Sequence, residues 1–281
     1  MAKKSKGRKQ FNLDRDITNS SVITTRESNP KKIIAVTAKN QIQKSALKAI
    51  HTNKVTFLFG SPGSGKSHVS VGYGIQELMR GHFEKLILTR PAIEAGEHLG
   101  FLPGGYGDKL APYLIPLYDI LLEYISLDEI QELEAARKLF TLPLAFQRGI
   151  TYKNSFVVVD EAQNASIKQM HMLLTRIGEG SKVVVTGDVF QSDLRDDKNN
   201  GLIDAIRRLQ KIDNIAFVEF DYSANCRDPI VSAIDSKYRK ELSPNEKLLP
   251  KIMKEIDPNW NEAENIESID QDFDEYRDTQ K

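Results

Sequence analysis

The chain has 281 residues, of which 40% are hydrophobic and 28% charged, and its 39 basic and 39 acidic side chains cancel. No apolar run approaches the roughly 18 residues that span a bilayer, and the basic opening MAKKSKGRKQ has no apolar segment behind it, so neither a membrane span nor a secretory leader is expected. One cysteine, Cys226, is too few for a disulfide framework or a cysteine zinc site, and the five histidines form no HxxxH pair; the expectation is a cytoplasmic globular protein without a structural metal or a membrane partner.

In chain order, residues 1–31 form a basic arm and the globular part runs over 32–240. Within it a short β-branched run, a turn and a helix-period segment alternate. The predicted strands are Lys32–Val36, Val55–Phe59, Lys85–Thr89, Phe156–Asp160, Lys182–Thr186 and Ile215–Phe220. Several, such as FVVVD and KVVVTGD, are apolar on both faces, the pattern of strands in a parallel sheet covered by helices. The predicted helices are Asn40–His51, Lys66–Arg80, Ser166–Arg176, Gly201–Lys211 and Pro229–Lys240. Ser166 with Gln169 three residues on is a capping box ahead of Met170, Leu173 and Leu174. Between core strands, residues 100–149 read as a helical insertion packed on one edge. It opens on FLPGGYG and continues with an apolar-periodic stretch, Tyr113–Tyr124, and a charged helix, Asp128–Leu139. After residue 240 the chain turns acidic, densest from Glu255 to Asp278. Both charged ends read as disordered, solvated tails; a second reading has the basic arm touch nucleic acid and the acidic tail compete with it. The alternation of strand and helix predicts an α/β fold, whose ligands bind at the carboxyl ends of the strands.

Three of those strand ends carry chemistry. Gly60, Ser61, Pro62, Gly63, Ser64, Gly65, Lys66 and Ser67 satisfy GxxxxGK[ST], after an apolar strand and before a helix. Glycines let successive backbone N–H groups turn inward as an anion nest, and the helix aims its positive end at the same point. Lys66 would reach the β- and γ-phosphates of ATP, and Ser67 would ligate Mg²⁺. In FVVVDEAQN, Asp160 would hold Mg²⁺ through water and Glu161 would orient or deprotonate the attacking water. In VVVTGDVFQSD, Gln191 would touch the γ-phosphate or that water, and Asp188 would couple its loop to Glu161 or Lys66.

In this order and spacing the three elements resemble the PhoH-like ATPases. The specific strings are LILTRPAIEAGEHLGFLPG (Leu86–Gly104) and FVVVDEAQNASIKQMHMLLTRIGEGSKVVVTGDVFQSDL (Phe156–Leu194), within a likeness that runs from Lys32 to Tyr238. The family is similar in turn to the nucleotide-binding half of superfamily 1 helicases, so the resemblance implies a RecA-like P-loop NTPase sheet, ATP hydrolysis in the cytoplasm and a role linked to RNA or DNA. Phage genomes commonly carry such proteins, and a short chain fits one. By matched position, Gln43 in KNQIQKSAL would read the adenine edge, with a solvated helix residue as the alternative. Arg227 in NCRDPIV would reach a γ-phosphate in its own subunit or a neighbour's. There Asp228 replaces the usual histidine and could instead tie the arginine down. Arg90 either binds phosphate or pairs with Glu94 or Glu97; Arg148 matches the family without an assigned role. Cys226 reads as structural, and Trp260 as a tail residue.

Two functions compete. One is a nucleic-acid motor acting on RNA or single-stranded DNA; too little chain follows Tyr238 for a second core, so such a motor would be a homo-oligomer such as a ring. The other is an ATP-dependent switch or assembly protein that moves no nucleic acid, which the zero net charge and the lack of an aromatic-basic stripe favour.

Overall fold

The computed structural model describes residues 35–91, 106–189, 191, 194, 199–220 and 230. The described elements are α1 (Gln41–Thr52), β1 (Val55–Gly60), α2 (Lys66–Met79), β2 (Lys85–Arg90), α3 (Tyr106–Tyr124), α4 (Leu127–Ala135), β3 (Leu139–Pro143), β4 (Ser155–Val159), α5 (Ile167–Leu174), β5 (Lys182–Gly187), α6 (Gly201–Leu209) and β6 (Ile215–Phe220). Short 3₁₀ turns at Leu144–Gln147 and Ala162–Asn164 follow β3 and β4.

The six strands form one sheet in the order β3-β2-β4-β5-β1-β6, and every pairing is parallel. Alternate residues of each strand feed two cores. On one face Leu58, Leu86, Leu88, Phe156, Val158 and Val184 pack against α1, α2, α3 and α4. On the other, Phe57, Phe59, Val157, Val159, Val183 and Val185 pack against α5 and α6. Burial on both faces explains the unbroken apolar runs. The chain is a doubly covered parallel α/β sheet with the P-loop NTPase arrangement. Among the described residues no helix is long and apolar enough to cross a membrane.

The expected strands from Val55 onward are all present. Of the expected strand Lys32–Val36, only Ala35 and Val36 are described, and neither is in a strand. The helix expected over Pro229–Lys240 lies outside the described residues except Ile230.

The insertion is not purely helical. Its charged helix stops at Ala135, and Leu139–Pro143 forms β3, an edge strand paired along β2 from Leu86↔Leu139 to Arg90↔Pro143. The stop is a Schellman motif: Lys138 N–H donates to the Leu133 carbonyl and Arg137 N–H to that of Glu134, with Arg137 left-handed at φ 56°. Glycine normally fills that position, as Gly81 does after α2 (φ 79°), so the sequence carries no stop signal here. Proline at the end of β3 suits an edge strand.

Helix α3 packs on α2 at a point where the chain has no side chain to spare. A Cβ on Gly72 would lie 2.3 Å from the Tyr124 hydroxyl and 2.4 Å from its ring. Gly72→Ala is expected to cost about 1–3 kcal/mol by overpacking, read from the midpoint of urea unfolding; an unchanged midpoint would mean that α3 does not dock there.

Candidate functional site

The carboxyl ends of β1, β4 and β5 converge on one cleft of about 470 Å³, lined among others by Gly63, Lys66, Ser67, Asp160, Glu161 and Gln191. That volume suits a nucleotide-sized ligand. Its floor is the loop from Gly60 to Gly65. Gly60 (φ 121°) ends β1 against the Phe220 carbonyl, where a Cβ would come within 2.2 Å; only glycine can turn there. Ser61 then bonds that carbonyl through its N–H at 2.8 Å and its hydroxyl at 3.1 Å, which fastens the loop to β6. The Lys66 ammonium is buried within the loop, donating to the carbonyls of Gly60 (2.9 Å) and Ser61 (2.6 Å) and to Ser64 Oγ (3.3 Å). Pro62 and Gly63 form the outer lip.

Gln43 lies behind this loop. Its Nε2 donates to the Ser64 carbonyl at 2.9 Å, and its Oε1 accepts from the Lys39 N–H at 2.8 Å. It is buried and is not among the residues that line the cleft. The structure therefore brings Gln43 to the phosphate loop through that loop's backbone.

Asp160, one residue beyond β4, is 1% exposed. Ser67 Oγ donates to its Oδ1 at 2.6 Å and Thr186 Oγ1 to the same atom at 2.5 Å. Arg90 grips Oδ2 with Nε at 2.8 Å and also with Nη2. So the two expected metal-holding residues, Ser67 and Asp160, are in direct contact. A carboxylate so deeply buried requires a cation, and here Arg90 supplies it. A hard oxygen donor pair beside the phosphate loop is the chemistry that magnesium takes, so these residues fit the ion.

Glu161 turns the chain sharply with a left-handed backbone (φ 55°, ψ 39°), a conformation that costs a non-glycine residue about 1–2 kcal/mol. The turn points its carboxylate into the cleft. Gln163 Nε2 donates to Glu161 Oε2 at 2.6 Å, while Gln163 Oε1 accepts from the Asp188 N–H at 3.0 Å. The coupling expected between Asp188 and Glu161 thus runs through the buried amide of Gln163. Gln191 is exposed on the cleft rim, its N–H bonded to the Asp188 carbonyl at 3.2 Å.

Burial first, then the Asp160 charge, pushes the Glu161 carboxyl above its usual 4.5, against the pull of Gln163, Arg90 and Lys66. The unfolded chain keeps the ordinary value. Glu161 therefore contributes stability that is full below about pH 4.5 and is lost as pH rises through the raised native value. Its proton-accepting form appears only above that value.

Several site features carry no signal in isolation. Thr186 and Gln163 resemble ordinary strand and turn residues until the fold places them on Asp160 and Glu161. On the other wall, Ile120 and Glu123 of α3 line the cleft, and His68, next to Ser67, meets Glu123 Oε2 and the Tyr124 hydroxyl, both at 2.9 Å. Arg148 is exposed and does not line the cleft. Arg227, Cys226 and Trp260 lie outside the described residues, as do Glu94 and Glu97, the partners expected for Arg90.

The family model for PhoH-like proteins matches residues 35–239. The chain belongs to the PhoH-like family. A PhoH-like protein of Synechocystis is 43% identical over 205 residues, covering 73% of this chain and 62% of the relative. One from Bacillus subtilis is 41% identical over 207 residues, covering 74% and 65%. Protein PhoH of Escherichia coli is 38% identical over 193 residues, covering 66% and 53%. The chain thus spans under two thirds of the length of these relatives. Among solved structures, the large terminase of a thermophilic bacteriophage gives a TM-score of 0.45 at 12% identity, covering 72% of this chain and 50% of its own. Pif1 helicase from Candida albicans gives 0.38 at 14%, covering 72% and 44%. Both likenesses are coarse.

Proposed function

We propose that this PhoH-like chain binds ATP with Mg²⁺ and hydrolyses it to ADP and phosphate. The observation that supports this most is convergence: Lys66 and Ser67 from one segment meet Asp160 and Glu161 from another, 93 residues away, in one cleft. The loop N–H groups of residues 60–67 would cradle the phosphates, with Lys66 turning from the loop carbonyls to the β- and γ-oxygens. Ser67 and Asp160 would hold magnesium, which neutralises charge on the phosphates when bound. Glu161 orients the attacking water and takes its proton, Gln163 fixes that carboxylate, and Gln191 contacts the γ-phosphate from the rim. Arg227 is the candidate arginine finger, in cis or in trans.

Hydrolysis is coupled, in this reading, to RNA or single-stranded DNA in a cytoplasmic homo-oligomer. It is supported by the likeness of the loops to superfamily 1 helicases and by the basic first ten residues. A second reading, an ATP-driven switch, is favoured by one observation: α3 supplies a wall of the cleft through Ile120 and Glu123, so nucleotide occupancy can move the insertion. Phosphate release with ATP and Mg²⁺, with and without single-stranded RNA or DNA, separates them. A several-fold rise that high salt abolishes supports the coupled motor. Turnover indifferent to nucleic acid favours the switch, and no turnover above a Lys66→Ala blank removes the ATPase reading.

The raised Glu161 carboxyl adds a second expectation. The acid limb of kcat/KM, which reports the free enzyme, falls at a higher pH than an ordinary carboxylate gives. Gln163→Leu, which deletes a bond favouring the charged form, moves that limb to still higher pH. A limb that stays in place would exclude Glu161 as the titrating base.

A further inference from the structure

Arg90 stands at the end of β2 with three partners. It holds Asp160 Oδ2 through Nε and Nη2, lies 3.8 Å from Glu161 Oε1, and reaches the Tyr113 carbonyl of α3 at 3.3 Å through Nη1. Its side chain is 15% exposed and that of Asp160 only 2%. One permanent positive charge therefore sits on the same buried carboxylate that would face a divalent cation. With Ser67 and Thr186 on Oδ1, both carboxylate oxygens already have donors. Two like charges sharing one carboxylate in a poorly screened cleft repel strongly, and a guanidinium cannot shed its proton to relieve them.

We propose that Arg90 sets the metal affinity of this site: it keeps the Ser67–Asp160 pair too weak to hold a divalent cation alone, so that metal enters only together with a nucleotide's phosphates. The inference rests on the assignment of metal to Ser67 and Asp160 made above. Arg90 does not touch the reacting atoms in this role. It is a positioning and charge-balancing residue, and its bond to the Tyr113 carbonyl makes α3 part of the same balance.

The test is Mn²⁺ binding by electron paramagnetic resonance, in the full chain, with and without a non-hydrolysable ATP analogue. Wild type is expected to bind Mn²⁺ tightly only with the analogue. Arg90→Gln is expected to bind one Mn²⁺ without nucleotide, at least about tenfold more tightly than wild type, and Asp160→Asn added to it should abolish that gain. Arg90→Lys, which keeps the charge, should remain weak. If Arg90→Gln leaves Asp160 unbalanced and the chain unfolds, millimolar Mn²⁺ should restore folding and raise Tm by linkage; failure to do so overturns the proposal. So does an Arg90→Gln chain that binds no more Mn²⁺ than wild type, or an Arg90→Lys chain that gains as much as Arg90→Gln. Wild type that binds no Mn²⁺ even with the analogue overturns the metal assignment itself, which separates that failure from the failure of Arg90's role.

Discussion

Lys66→Ala is expected to abolish nucleotide binding and to lower phosphate release by at least about 10²–10³-fold, the loss typical when a single charge-stabilising donor is removed from a preorganised site. Lys66 is 8% exposed and spends its three donors on Gly60, Ser61 and Ser64. Those partners are loop oxygens, which water can satisfy once the side chain is gone. The fold is therefore expected to survive: the bonds from Ser61 to Phe220 and the pairing of β1 with β6 do not involve Lys66. Lys66→Arg should fail as well, because a planar guanidinium fork does not fit the space of a compact ammonium among three converging oxygens. Titration with a fluorescent ATP analogue reads the binding loss, and circular dichroism checks the fold. Turnover within about tenfold of wild type, far short of the loss of a preorganised donor, would remove Lys66 from the site.

Much of this site is legible in the sequence because its residues lie next to the strands that carry them. The apolar runs of β1, β4 and β5 mark strands buried on both faces, and they lead directly into Gly60, Asp160 and Gly187. Parallel pairing then brings those ends to one edge, so local pattern and global position agree. What stays hidden depends on contacts between distant segments. Glu94 and Glu97, the ion-pair partners expected for Arg90, follow it closely in sequence, whereas its described partner Asp160 is 70 residues away. The bond of Thr186 to Asp160, and that of the Asp188 N–H to Gln163, arise only because the ends of β4 and β5 are adjacent. Strand β3 escapes the sequence for a local reason: α4 ends on Arg137 in a left-handed conformation rather than on glycine, so the helix pattern runs on into Leu139 without a break. The start of α4 is marked by Ser126 and Glu129, which form a capping box like that of Ser166 and Gln169.

Glu161→Gln separates binding from chemistry. The substitution keeps shape and keeps an acceptor oxygen for Gln163 Nε2, now 2.6 Å from Glu161 Oε2, so the sharp turn after β4 and the link to Asp188 should persist. What it removes is the basic lone pair. Turnover should fall by about 10²–10⁴-fold, the range for a positioned general base, while affinity for the ATP analogue stays near that of wild type or tightens, since one negative charge has left the vicinity of the phosphates. The stability profile should change in the same sense. Native Glu161 is harder to ionise than in the unfolded chain, because burial and Asp160 oppose its charge; glutamine carries no charge to oppose. The variant should therefore lose less stability than wild type as pH rises above about 4.5, measured by urea unfolding across pH. If hydrolysis instead persists at the wild-type rate while binding is intact, Glu161 is not the base, and Gln191 on the cleft rim becomes a candidate to orient water.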